Sequence, residues 1–142
     1  MILFLAMILI LIFVSISILH FYWAFRGKKW GNFTIPTKSN AASTPLFKPS
    51  FFETLVVAVG FLVFVWIIGM NAQVFPLVWI TKNYVTYATF GIAFIFLLRA
   101  IGEFRYIGFF KRIKDTTFGQ MDSRYYSPLC LLIAITTLII NT

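Results

Sequence analysis

The sequence predicts an all-α membrane protein, a four-helix transmembrane bundle with both termini on the extracytoplasmic side. Three observations predict it. Of 142 residues, 61% are hydrophobic and only 11% charged, where a soluble domain is about a quarter charged; most of this surface is unsuited to water. The apolar residues gather into four stretches whose middles hold no Asp, Glu, Lys, Arg or His. All Lys and Arg residues except Lys82 fall between stretches one and two, between three and four, or at the stretch ends adjoining those gaps.

The first span covers about 2–23 and carries no charge before His20. At ~1.5 Å per residue it crosses the ~30 Å hydrocarbon core. A cleaved signal peptide has a basic start, a shorter apolar run and a small-residue cleavage site. Here Arg26 is the first basic residue, so the segment reads as a retained helix.

The second span covers about 51–70. Pro49 precedes it, and Ser50-Phe51-Phe52-Glu53 matches a capping box, in which the first side chain and the fourth satisfy each other's backbone N–H groups. The connection 71–83 holds Pro76, Trp79 and Lys82, which suits a short interfacial turn with an aromatic anchor. A third span follows over about 84–101.

The fourth covers about 127–141, with Ser127 as N-cap and Pro128 at the first helical position. Its roughly 15 apolar residues are short for a crossing, so it is expected to begin nearer Tyr125 or to thin the bilayer locally. The whole chain, 1–142, reads as one domain.

Alternating the four spans puts the loops 24–50 and 102–126 on one face. They and the adjoining span ends hold Arg26, Lys28, Lys29, Lys38, Lys48, Arg99, Arg105, Lys111, Arg112, Lys114 and Arg124. Cytoplasmic loops carry an excess of Lys and Arg, so this face is the cytoplasmic one of a multi-pass protein of the cell membrane. The segment 37–50 is rich in Ser, Thr, Asn, Ala and Pro and reads as a mobile linker.

Composition also excludes function classes. A net charge of +8 would suggest nucleic acid in a soluble protein. Here the cations flank membrane spans, so the expected partners are anionic membrane lipids, not nucleic acid. Cys130 is the only cysteine, which rules out an intrachain disulfide and a cysteine metal cluster; it packs as a small hydrophobe. His20 is the only histidine, which argues against a zinc or haem site, so no metal and no cofactor is expected. No phosphate loop, dinucleotide fingerprint or nucleophile elbow is visible. With no ionisable group at mid-membrane, a proton-coupled transporter is disfavoured. Ser15, Ser17, Thr89, Thr136 and Thr137 read as helix–helix hydrogen-bonding groups, helped by close approach at Gly60 and Gly91. Oligomerisation stays open.

The chemically capable side chains gather at the cytoplasmic end. Candidate catalytic groups are His20, Glu103 and Asp122; candidate ligand-binding residues are Trp23, Arg99, Arg105, Tyr106, Arg124 and Tyr125. His20 closes the first span beside Tyr22 and Trp23, where it serves as a helix-end histidine or as a proton carrier with a pKa near neutrality. Facing lipid would leave a ring nitrogen without a partner, so His20 is expected to face a pocket shared with Arg99, Glu103 and Arg105. Arg99 and Glu103 are four apart and on a continuing helix would pair. Arg99 could equally snorkel, or use its planar fork on a phosphate or carboxylate. Asp122 can close back on Arg99 or Arg105. Phe109 and Phe110 beside Lys111, Arg112 and Lys114 read as a segment lying on anionic lipid, and Glu53 reads as a capping residue.

Three motifs carry a family resemblance: His20-Phe21-Tyr22-Trp23, the run Phe96-Leu97-Leu98-Arg99-Ala100-Ile101-Gly102-Glu103-Phe104-Arg105-Tyr106-Ile107-Gly108-Phe109-Phe110-Lys111-Arg112, and Tyr125-Tyr126-Ser127-Pro128-Leu129-Cys130. On these the chain resembles a family of small bacterial integral-membrane proteins catalogued as a domain of unknown function. Glu103 stands where aspartate is as frequent. The resemblance implies a four-span bacterial membrane protein and no particular activity.

The functional expectation is a charged pocket at the cytoplasmic end that binds an anionic amphiphile or lipid, headgroup near Arg99, Arg105 and Arg124. An enzyme acting on such a ligand would draw its acid or base from His20, Glu103 or Asp122. The alternatives are a non-catalytic accessory or scaffold protein, whose charges lock helix ends together, and a small transporter. A cavity at the charged end favours the first, a closed cluster the second, and a polar path across the bilayer the third.

Overall fold

The computed structural model describes residues 1–26, 34–37, 45–77 and 80–141. Helices α1 (Ile2–Arg26), α2 (Phe51–Asn71) and α3 (Lys82–Ile101) precede a short α4 (Thr117–Met121), which passes through a π-helical turn, Asp122–Tyr126, into α5 (Ser127–Ile139).

Helix α1 buries Ala6, Leu9, Phe13, Ser17 and Ala24. Three- and four-residue spacings place these on one stripe, and the stripe faces α2. The two helices run antiparallel: the Ser17 hydroxyl donates to the Ala58 carbonyl at 2.8 Å, and Phe25 meets Phe51 with ring centres 5.7 Å apart. At mid-depth the fully buried Phe13 touches Phe61 and Phe64 of α2 and Phe96 of α3, at 5.8, 5.7 and 5.5 Å. Tilted and stacked ring pairs at this separation add to the area they bury. Ile68, Ile92, Ile133, Ala134 and Ile140 complete the core, bringing α5 in beside α3.

The outward faces are as apolar as the interior. Leu11, Val56, Tyr87 and Phe94 are each at least 60% exposed. A helix hydrophobic on all sides needs a hydrocarbon surround, so the molecule is membrane-associated.

The four-span expectation is corrected. Among the described residues three helices, α1, α2 and α3, are long and apolar enough to cross a membrane. Helix α5 has 13 residues, about 20 Å of helix against a ~30 Å core. The turn before it carries Asp122 and Arg124, so the apolar run cannot be lengthened in that direction. The assignment of both termini to one extracytoplasmic face rested on an even number of crossings and loses its basis with three.

Smaller expectations resolve individually. The capping box at α2 forms: Ser50 N–H donates to Glu53 Oε2 at 2.6 Å, and Glu53 N–H to Ser50 Oγ at 3.3 Å. Ser127 does not cap α5, because the chain enters that helix already helical from the π turn. Gly60 and Gly91 are not points of close approach, since a Cβ at either would meet open space. Of the polar residues at depth, Ser17 crosses to another helix, whereas Ser15 and Thr89 bond back to Leu11 and Val85 of their own. At the far end Asn71 Nδ2 donates to the Ile140 carbonyl at 3.3 Å and to Asn141 Oδ1 at 3.1 Å. Trp79, Lys28, Lys29, Lys38 and half of the linker expected at 37–50 lie outside the described residues.

Candidate functional site

The charged end is organised by the connection after α3. That helix stops at Ile101 because Gly102 takes φ +83°, a left-handed conformation that L side chains resist. Gly108 does the same at φ +90°. The two glycines pack against each other's backbone, and a Cβ on Gly102 would collide with the Ile107 carbonyl, one on Gly108 with that of Ile101. The chain therefore curls back on α3, and Phe109 N–H reaches the Ala100 carbonyl at 2.8 Å. Arg112 and Ile113 then donate to the carbonyls of Phe104 and Arg105 at 3.1 and 3.0 Å.

This curl delivers Lys111 and the Gly108 N–H to one point, and the π turn delivers Asp122 to the same point. Asp122 Oδ1 accepts from Arg99 Nη2 at 2.8 Å. Its Oδ2 accepts from Gly108 N–H at 2.8 Å, Lys111 Nζ at 2.9 Å and the Ser127 hydroxyl at 3.0 Å. Lys111 Nζ also donates to the Gly108 carbonyl at 3.0 Å. The side chains of Asp122 and Lys111 are wholly buried, and that of Arg99 is 32% exposed. Widened π turns recur where a side chain must be placed for a purpose; here the purpose is to seat a carboxylate in a cage.

Burial by itself would raise the Asp122 carboxyl pKa. The hydrogen bond from Lys111, the bond and charge of Arg99 and the Gly108 N–H more than offset it, and the group is held below the usual carboxylate range. Asp122 is thus an anion whose acceptor sites are taken. Among the described residues the cage holds two cations to one anion, and it is unevenly satisfied: Arg99 Nη1 is buried without a hydrogen-bond partner there.

The expected Arg99–Glu103 pair does not form. Gly102 ends the helix before Glu103 can come round to the Arg99 face, and exposed Glu103 accepts instead from Tyr106 N–H at 3.1 Å. Asp122 takes its place on Arg99, the closure that the sequence allowed. Lys111, expected on a lipid-facing segment, is instead in the cage. Its neighbours do lie outside: Phe104, Phe109 and Phe110 are exposed, as are Arg112 and Lys114. Arg105 stacks over Tyr106 at 5.2 Å and Arg124 over Tyr125 at 5.4 Å.

His20 and Trp23 stand apart from this cluster. His20 Nδ1 is 2.8 Å from the Ile16 carbonyl of its own helix, and its ring rests against Trp23 and Phe61 at 5.2 and 5.6 Å. The two residues line a cleft of about 420 Å³ with Thr34, Ile35, Phe47, Lys48, Pro49, Glu53, Thr54 and Val57. The expectation that His20 shares a pocket with Arg99, Glu103 and Arg105 is overturned. Position 20 falls one helical turn past Ser17, on the stripe that packs against α2.

Sequence reasoning missed Lys111, Ser127 and Gly108 as parts of the cage. The available signal was the pair of glycines six residues apart with a lysine three residues beyond the second, the pattern of a curl folding a cation inward.

No curated protein and no solved structure matches the chain. The four-span architecture implied by the resemblance is not what the helices show. The family itself is a separate matter: the profile described as a protein of unknown function (DUF3995) matches residues 13–137, which take in both the Asp122 cage and the His20 cleft, and the chain belongs to that family.

Proposed function

We infer that the protein binds an anionic amphiphile or lipid at its charged end, headgroup against the α3–α5 corner. The observation that carries this reading is Arg99. One nitrogen of its fork is committed to Asp122, while Nη1 is buried and has no hydrogen-bond partner among the described residues. A buried donor on a charged group left without an acceptor costs roughly 1–3 kcal/mol or more, and a phosphate or carboxylate oxygen supplies the acceptor that guanidinium geometry suits. The excess of cations over anions in the cage favours the same sign of ligand. Arg105 and Arg124, each stacked on a tyrosine, with Tyr106 and Tyr125 themselves, extend a basic and aromatic surface of the kind that sits at headgroup level. The membrane is taken to be a bacterial plasma membrane, with the loops between α1 and α2 and after α3 on its cytoplasmic side.

Native mass spectrometry in detergent, with phosphatidylglycerol and phosphatidylcholine added at equal concentration, tests it. The wild type should retain the anionic lipid preferentially. Arg99→Lys keeps the charge and can keep the Asp122 contact but loses the second nitrogen, and should lose most of that preference. Equal retention of both lipids by the wild type would sink the proposal.

A second reading, a non-catalytic accessory or scaffold protein, is supported by Asp122. A carboxylate with four donors and a depressed pKa is suited to locking helix ends and ill suited to moving protons. Unchanged lipid retention in Arg99→Lys, with marked destabilisation in Asp122 variants, would select this reading. As for catalysis, Glu103 is exposed and His20 lies elsewhere, so no step is assigned to either.

A further inference from the structure

The cleft between the end of α1 and the start of α2 is a second site, built from different residues. Three of its lining side chains carry polar chemistry of three kinds. Lys48 supplies an exposed ammonium on the segment leading into α2. Glu53 supplies a carboxylate fixed by the capping box, where Oε2 receives the Ser50 N–H; among the described residues no donor meets Oε1. His20 supplies an imidazole whose orientation is set by its Nδ1 contact to the Ile16 carbonyl. A carbonyl oxygen only accepts, so in the neutral ring the proton is on Nδ1, and Nε2 is a hydrogen-bond acceptor. The ring is held further by Trp23 and Phe61. One cationic donor thus shares the cleft with two acceptors.

The remaining lining is largely apolar, with Ile35, Phe47 and Val57 beside Trp23. The segment carrying Ile35 is pinned to the one carrying Phe47 by Leu46 N–H donating to the Pro36 carbonyl at 2.9 Å, next to a bridge between Thr37 and Pro45. The site therefore has a fixed wall on each side. It lies at the ends of two helices long enough to span a membrane, the level at which lipid headgroups sit.

We propose that this cleft binds the headgroup of a lipid carrying both a phosphate and a primary ammonium, the phosphate at Lys48 and the ammonium at Glu53 and His20 Nε2. A primary ammonium has three N–H donors to give two acceptors. A quaternary ammonium has none and would draw only on the aromatic face of Trp23. A purely anionic headgroup would meet the Glu53 carboxylate unfavourably. The apolar walls select an acylated molecule over a free polar one. The inference does not rest on the reading of Arg99.

The test compares dioleoyl phosphatidylethanolamine with dioleoyl phosphatidylcholine, which differ in the methylation of that nitrogen, by native mass spectrometry of the full-length protein in detergent. Wild type should hold the ethanolamine lipid about fivefold better, the ratio corresponding to one net hydrogen bond. Glu53→Gln preserves the capping box, because glutamine serves equally at that position, and should bring the ratio close to one. His20→Phe keeps a ring against Trp23 and Phe61 and should do likewise. Lys48→Gln should weaken both lipids together and leave the ratio unchanged. Repeating the comparison in an Arg99→Lys background, where the other corner contributes less, should give the same changes for Glu53→Gln and His20→Phe, so failure here and failure at the other corner are read separately. Parity or a choline preference in the wild type overturns the proposal, and so does an unaltered ratio in Glu53→Gln or His20→Phe of native melting temperature. Glycerophosphoethanolamine, the same headgroup without acyl chains, should not displace the lipid at equal concentration; displacement would overturn the assignment to a lipid.

Discussion

At the α3–α5 corner a carboxylate meets two cations, a backbone N–H and a hydroxyl, with the acid and one cation wholly buried. At the α1–α2 corner a carboxylate, an ammonium and an imidazole line an open cleft instead. Both corners lie at the same end of the helices, because the end of α1 meets the start of α2 and the end of α3 meets the π turn before α5. The residue types are nearly the same; access differs. In the cage the Gly102–Gly108 curl brings backbone and Lys111 over Asp122 and shuts water out. In the cleft Glu53 is fixed by its own helix terminus and stays exposed. The lesson is that charge clustering alone does not mark a ligand site. A carboxylate surrounded by four donors from three segments is spent on folding, and the residual capacity lies with the groups left partly unmatched: Arg99 Nη1 in one corner, Glu53 and His20 in the other.

The largest expected effect breaks the cage. Asp122→Ala strands Lys111 and Arg99 together, and leaving buried charge uncompensated costs about 3–5 kcal/mol. The measurement is denaturant or thermal unfolding in a fixed detergent. Glu53→Ala, at an exposed helix end, should cost far less. Replacing both partners, in Asp122→Leu with Lys111→Met, should recover part of the loss, since the buried lysine is no longer stranded. Strict additivity of the two changes would mean that Asp122 and Lys111 are not energetically coupled, and the contrast between the corners would collapse.

A smaller effect sharpens the same contrast through pH. The folded Asp122 pKa is depressed below its ordinary value of 3.8. A depressed carboxylate contributes stability that is fully present above the unfolded pKa and is lost as pH falls through the lower, folded one. The wild type should therefore shed this contribution below about pH 4, the ordinary range of an unfolded aspartate. Asp122→Asn, starting less stable, should show a flatter acid limb. Parallel acid limbs for the two proteins would mean that Asp122 titrates alike folded and unfolded.

How far these features were legible follows from their range in the chain. The positions of α1, α2 and α3 could be read because apolar length and the Ser50–Glu53 box are local signals. The pairing of Asp122 with Arg99 was legible only as one option, since it joins residues 23 apart. Burial of Lys111 was hidden by its setting: flanked by Phe109, Phe110 and Arg112, it looks like interface until two glycines of positive φ fold the segment over. Glu103 was misread because helical spacing from Arg99 was extended past Gly102, a residue that commonly ends helices. His20 was misread because cost arguments drew it toward carboxylates, whereas the Phe13–Ser17 stripe already pointed it at α2. The count of crossings failed on length, where α5 falls short.

The smallest effect concerns what holds the cleft open at its base. Ser17 lies one turn below His20, fully buried, and its hydroxyl donates to the Ala58 carbonyl across the α1–α2 seam. That carbonyl is already an acceptor within α2, so removing the hydroxyl leaves no buried donor stranded. Interhelical hydrogen bonds between membrane helices contribute about 0.6 kcal/mol on average, and alanine is small enough to keep the close approach. Ser17→Ala should therefore lower stability by about that amount, several times less than Asp122→Ala. If the cleft is held by packing of Phe61, Trp23 and His20, its lipid selectivity should survive the change. Loss of selectivity at unchanged stability would show that the hydroxyl, not the ring packing, sets the separation of the two helices there.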